Sequence, residues 1–269
     1  TIDEGTQTDI LSVFSDSDIG DTHTIENLIT PAQGVLTTLN PSVATGFNYS
    51  LVGNDWYGVI NFLYRVTDSS SVVSNDANIR INVVPVNDVP ITTNSSLTIA
   101  EDTSGSVTAN VIDPDLGDTH TIDVTQPGQG SVVVVGQIMT YTPPADWNGS
   151  TSFTYRAMDS AGAYSAFSTV TVTVNPQNDP PVTGNLGMVI DEDTSGTRTV
   201  SITDSDSGDT HLVAVAMPPS QGSVSIAGND ITYTPPADWN GSTFFTFTVT
   251  DSGGESASAS VNVTVLPIN

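Results

Sequence analysis

Cysteine is missing from this chain, and so is lysine. Without cysteine there is no disulfide, no thiolate metal site and no thiol nucleophile. The only bases beyond histidine are Arg65, Arg80, Arg156 and Arg198, set against 30 acids, so the formal net charge is −26 over 269 residues. Such a surface repels phosphate, which argues against nucleic acid and against anionic membrane surfaces as partners. No apolar run reaches the length of a membrane-spanning helix. The first ten residues are polar and acidic, unlike a secretory leader. Glutamate is scarce as well: 25 of the 30 acids are aspartate, the acid of turns and loops, which puts the charge between strands rather than along helix faces. High net charge alone would suit disorder, but 37% hydrophobic residues in regular strand patterns outweigh that reading. A chain with no disulfides needs another staple, and a metal is the usual substitute.

What the chain does have is repetition. DSDIGDTH at Asp16–His23 returns as DPDLGDTH at Asp113–His120 and DSDSGDTH at Asp204–His211. Linkers PVNDVP (Pro85–Pro90) and PQNDPP (Pro176–Pro181) stand 91 residues apart, and the terminal LPIN begins a third. IDEGT (Ile2–Thr6), IAEDT (Ile99–Thr103) and IDEDT (Ile190–Thr194) open the units; NDWYG (Asn54–Gly58) and two ADWNGS runs (Ala145–Ser150, Ala237–Ser242) follow later. A fixed period of this size marks a tandem array. Three domains are expected: residues 1–89, 90–180 and 181–269. Because the first unit lacks a linker before it and the last stops within one, the chain reads as a piece of a longer array.

Within each unit the period is two. Phe153, Tyr155 and Ala157 alternate with Thr154 and Arg156, and Val170, Val172 and Val174 alternate with Thr169, Thr171 and Thr173. Phe62, Tyr64, Val66 and Phe245, Phe247, Val249 repeat the pattern. That is the signature of strands with one buried and one wet face. About seven short strands per unit, separated by Gly, Pro, Asn and Asp clusters, imply an all-β fold of three antiparallel β-sandwiches in series. Strands of about nine residues span about 30 Å, so three units with linkers would reach on the order of 120 Å.

The carboxylate pairs Asp113/Asp115 and Asp204/Asp206 sit in loops beside a glycine. Two carboxylates one residue apart can close on one hard cation, and calcium tolerates the irregular geometry that magnesium refuses. A single copy would be an ordinary solvated turn; three copies in register, with further acids at fixed offsets, favour a metal. Trp56, Trp147 and Trp239 could stack on a sugar, but one indole in every unit suits a structural part better. One histidine per unit (His23, His120, His211) is too few for zinc and reads as a packing or hydrogen-bonding residue near the loop. Paired acids could hydrolyse glycosides, yet a catalytic site is single and these acids recur, so no enzyme is expected. The sequons at Asn48, Asn94, Asn148, Asn240 and Asn262 read as chance products of a Ser- and Thr-rich composition.

The early Glu, the DxD loop, the later Asp and the Asn-Asp-x-Pro linker together resemble the cadherin repeat. The YTPxADWNGSxxFxY run resembles more closely the bacterial cadherin-like repeats of long secreted adhesins, including the RTX type. The resemblance covers all three units, the first being the most divergent. It implies calcium between successive domains. The first junction would use Glu4, Asp55, Asn87 and Asp88 with Asp113, Asp115 and Asp159. The second would use Glu101, Asp146, Asn178 and Asp179 with Asp204, Asp206 and Asp251. Asp16, Asp18 and Asp68 would face a preceding unit, and Glu192, Asp238 and Asn269 a following one, with both end sites weak. Pro85 and Pro176 replace the first linker Asp of animal cadherins, and Asp-Trp replaces their Asp-Arg-Glu, which implies fewer ions per junction. The resemblance implies a calcium-stiffened extender or adhesion array, extracellular or on a bacterial surface, taking part in adhesion and biofilm. Its partners would be calcium and neighbouring repeats of the same chain, as a monomeric piece. The alternative is a module that binds a surface polysaccharide or another copy of itself.

Overall fold

The computed structural model describes residues 1–18, 20–39, 46–51 and 55–269. Among these, every regular element is a strand. Asn54, which opens the first NDWYG motif, lies outside the described residues. Three separate apolar cores divide the chain. One is centred on Phe47, Tyr49 and Phe62, the next on Tyr141, Phe153 and Tyr155, and the last on Tyr233, Phe245 and Phe247.

The second unit shows the plan. A four-stranded sheet runs in the order Thr121–Val124, Gly149–Met158, Ser168–Asn175, Ser95–Ala100. A three-stranded sheet of Gly105–Thr108, Ile138–Thr142 and Ser131–Val135 covers its inner face. The first and third units repeat this arrangement of four strands against three. The expected alternation holds: Phe153, Tyr155, Ala157, Val170, Val172 and Val174 are all buried, and the threonines between them are at least partly wet. Burying a tyrosine requires a partner for its hydroxyl. Tyr49, Tyr141 and Tyr233 each donate to a backbone carbonyl in the preceding turn, of Gln33, Gln129 and Gln221 respectively.

The sandwiches are not wholly antiparallel. In each unit an early strand pairs parallel with the last: Ile2–Asp3 with Ala77–Val84, Ser95–Ala100 with Ser168–Asn175, Leu186–Asp191 with Ser256–Leu266; in the second and third units a two-residue strand, Ile91–Thr92 or Val182–Thr183, comes before it and pairs antiparallel. A unit in series must receive the chain at one pole and release it at the other. The early strand that leads to the glutamate and the last strand both run toward the exit pole, and being adjacent they pair parallel. The acidic loops lie at the poles, where one unit meets the next.

Candidate metal centre

Each unit's early glutamate closes the start of the unit onto its own exit. The Glu4 N–H donates to the Val84 carbonyl (3.1 Å), and Glu4 Oε1 accepts the Val86 N–H (2.6 Å). Glu101 does the same with Asn175 and Gln177 (2.9 and 2.6 Å), and Glu192 with Leu266 and Ile268 (both 2.8 Å). A carboxylate is thereby held beneath the linker, 8% exposed at Glu4 and 2% at Glu101. The residue after it turns left-handed. Gly5 does so freely (φ 68°), while Asp102 and Asp193 (φ 58° and 62°) accept the cost that a short polar side chain tolerates best.

From the other side comes the DxD loop. Asp113 Oδ1 accepts the Asp115 N–H (3.0 Å), and Oδ2 bonds His120 Nε2 (2.7 Å). Asp204 is held identically by Asp206 and His211. These bonds keep Asp204 ionised: the His211 hydrogen bond, then the Asp206 amide, hold its carboxyl below the usual range. The linker docks on the same loop. The Asp88 N–H donates to Asp115 Oδ2 (2.8 Å), and Asn87 Nδ2 donates to Asp159 Oδ2 (2.9 Å). At the second junction the bonds are Asp179 to Asp206 (2.7 Å) and Asn178 to Asp251 (3.1 Å). The Asn87 amide, with backbone amides of the following turn, lowers the Asp159 carboxyl pKa.

Carboxylates converge as a result. Glu4, Asp88 and Asp115 have oxygens within 4.8 Å of one another, as do Glu101, Asp179 and Asp206; Asp102 and Asp146 also join Asp179. A second kind of cluster lies within a unit: Asp113, Asp118 and Asp159, and in the first unit Asp16, Asp21 and Asp68. Inside them, Glu4 Oε2, Asp118 Oδ2 and Asp179 Oδ2 are buried without a hydrogen-bond partner, and so is Asp209 Oδ2, at the position in the third unit equivalent to Asp118. Buried carboxylate oxygens normally have partners, and leaving one bare is costly. Burial first, then the charge of Asp55, Asp115 and Asp113, pushes the Asp88 carboxyl above its ordinary pKa. Asp179 is pushed the same way by burial, then by Asp146, Asp102, Asp206 and Glu101. An all-oxygen donor set with surplus negative charge and bare inner oxygens fits a hard divalent cation such as calcium.

The structure redistributes the residues the sequence pointed to. The DxD pair does not close on one point: Asp115 gathers with Glu4 and Asp88, whereas Asp113 gathers with Asp118 and Asp159. Asp55 acts on Asp88 through charge, and Asp146 stands with Asp102 and Asp179. At the outer poles, Asp16 and Asp68 meet Asp21, Asp238 donates its N–H to Asp193 Oδ1 (3.0 Å), and Glu192 holds the Ile268 amide just before Asn269. Sequence reasoning missed Asp21, Asp118 and Asp209 in the GDTH segments and Asp102 beside Glu101. Their fixed offset from the DxD pair was the available signal. The histidines bond to the loop. Each tryptophan packs partly buried against its core, over a left-handed glycine: a Cβ on Gly149 would stand 3.3 Å from the Trp147 ring.

Residues 87–176 match the bacterial cadherin-like domain, and residues 178–264 match the bacterial Ig domain. Residues 87–264 thus match a cadherin-like domain followed in tandem by an Ig-like one. The chain's cadherin-like architecture extends over the whole length. Human CDH23 EC21-23 superposes with a TM-score of 0.58 at 21% identity, over 89% of this chain and 88% of that one. Mouse cadherin-23 EC22-24 gives 0.55 at 18%, over 99% and 94%. Protocadherin gammaB7 EC3-6 gives 0.53 at 18%, over 98% and 71%. No curated protein matches the sequence. The matched bacterial domains are non-enzymatic modules, typically extracellular or surface-borne, and among the described residues no helix is long and apolar enough to cross a membrane.

Proposed function

We propose that the chain is a calcium-stiffened extender, a run of cadherin-like and Ig-like spacers from a bacterial surface or secreted adhesin. The observation that carries this reading is the convergence, at each junction, of carboxylates from the upstream unit, the linker and the downstream unit around buried oxygens that lack partners. Glu4, Asp55, Asn87, Asp88 and Asp115 would hold the ion at the first junction, with Asp113, Asp118 and Asp159 beside them. Glu101, Asp102, Asp146, Asn178, Asp179 and Asp206 would do so at the second, with Asp204, Asp209 and Asp251. Calcium supplies two positive charges to a site whose acids otherwise repel. The residues do the rest: the linker amides already seat on Asp115 and Asp206, so joining the acids locks a joint that is half assembled. Small-angle X-ray scattering with calcium and with chelator tests the reading. A long, rigid particle in calcium and a shorter, broader distribution in chelator are expected. An identical shape in both, at matched ionic strength, would mean that the acids only solubilise the surface.

A further inference from the structure

The three early glutamates are not equally provided for. Glu101 Oε2 accepts from Asn148 Nδ2 (3.3 Å), and Glu192 Oε2 from Asn240 Nδ2 (3.4 Å). In the first unit the corresponding position is Tyr57, and Glu4 Oε2 is buried with no partner. Tyr57 lines the cleft of the first junction with Val86, Asn87 and Asp115, where Asn148 lines that of the second with Gln177, Asn178 and Asp206. Its phenol is half exposed and has no amide to offer. The first junction also lacks a carboxylate, since Gly5 stands where Asp102 does.

We propose that this exchange makes the first junction conditional on its cation: a divalent ion bound by Glu4 Oε2 with Asp88 and Asp115 takes the place that the Asn148 amide fills at the second. This rests on the extender reading and adds to it a difference between joints. Glu101 is satisfied on both oxygens before any ion arrives, so the second unit keeps its closure onto the linker in calcium-free solution; the oxygen left bare at that junction, Asp179 Oδ2, belongs to the linker and not to the closing glutamate. Glu4 is not, and a bare buried carboxylate oxygen destabilises the fold that buries it. The first unit should therefore open at its exit pole when calcium is withdrawn, while the second stays shut.

The test is hydrogen exchange across the whole chain, with millimolar calcium and with chelator, on wild type, Tyr57→Asn, Tyr57→Ala and Asn148→Tyr. In chelator, amides of Ala77–Val84 in the wild type should lose protection before those of Ser168–Asn175. Tyr57→Asn should restore about tenfold in chelator and little in calcium, because the amide then replaces the ion. Tyr57→Ala, which removes the phenol and adds no donor, should not restore it. Asn148→Tyr should transfer the calcium dependence to the second unit. Equal protection of both units in chelator, or rescue by Tyr57→Ala as good as by Tyr57→Asn, overturns the inference. Calorimetry separates the two levels: calcium uptake by the wild type with no effect of Tyr57→Asn sinks this inference alone, and no uptake at all sinks the extender reading with it.

Discussion

The two internal junctions share a blueprint and differ in its completion. Both seat a linker amide on the second aspartate of a DxD loop, and both bury a glutamate beneath the linker. The second adds Asp102 to the carboxylates and Asn148 to the donors; the first has Gly5 and Tyr57 instead. Identical backbone closure can therefore coexist with different demands for a cation. The difference arises beside the shared acids, in residues that no metal motif would include.

The largest effect should come from removing calcium altogether. At a hundred times the dissociation constant, one site that binds only the folded chain contributes about 2.7 kcal/mol. Extracellular calcium modules bind at roughly 0.1–1 mM. For domains of this size that is a melting shift on the order of 10 °C. Scanning calorimetry in chelator should resolve a first unit that melts below the second and third; several millimolar calcium should close the gap. Magnesium should do much less, and sodium chloride at matched ionic strength should not substitute, since screening over about 8 Å does not bridge carboxylates in contact. Curves that superimpose in all four conditions would refute a calcium role.

The next effect breaks one joint and spares the other. Asp204→Asn with Asp206→Asn keeps polar oxygens and removes two charges from the second junction. Calcium affinity there should fall strongly while the first junction is unchanged, because a whole domain separates them. Scattering should show one stiff and one loose joint, with β-rich circular dichroism retained by the Val, Ile and Phe core. Unfolding of the entire third unit would instead make the ion a folding ligand of that unit, the role suited to the cluster type of Asp113, Asp118 and Asp159.

A smaller change should follow from Asn87→Ala or Asn178→Ala, each of which removes a linker hydrogen bond to the later aspartate. Without the Asn87 amide, the Asp159 carboxyl should rise back toward its ordinary value of 3.8. Carboxyl chemical shifts followed through a pH titration would report it; an unchanged Asp159 would mean that backbone amides alone hold it down.

The smallest effect concerns pH. In calcium-free protein the raised carboxyls of Asp88 and Asp179 favour the protonated form, so their contribution to stability is full below the ordinary carboxylate value and is lost as pH rises through the raised one. Asp159 and Asp204 are lowered, and theirs is lost as pH falls. With calcium present, protons compete for the junction acids. The gain from calcium should thus narrow as pH drops from 7 toward about 4.5, within the range where such carboxyls titrate. A constant gain over that range would place the ion away from Asp88 and Asp179.

The strands could be read directly, because alternation is a local signal: Phe153, Tyr155 and Ala157 announce a buried face within five residues. The repeated acids were equally plain, and most of the junction residues follow from motif and offset. The rest could not be read for a geometric reason. Glu4 and Asp115 lie more than a hundred residues apart and meet only because the first unit's exit pole is set against the second unit's entry loop. The same pole-to-pole course of the chain makes an early strand pair parallel with the last in each unit, against the antiparallel expectation. It also splits the DxD pair between two clusters and draws in Asp118, whose role no single motif declares. The sequence by itself determined the period, the β class and the supply of carboxylates, since each is written in neighbouring residues. Only the tertiary structure decided which carboxylates face one another and which of their oxygens are left bare, since that depends on how the poles of separate sandwiches come together.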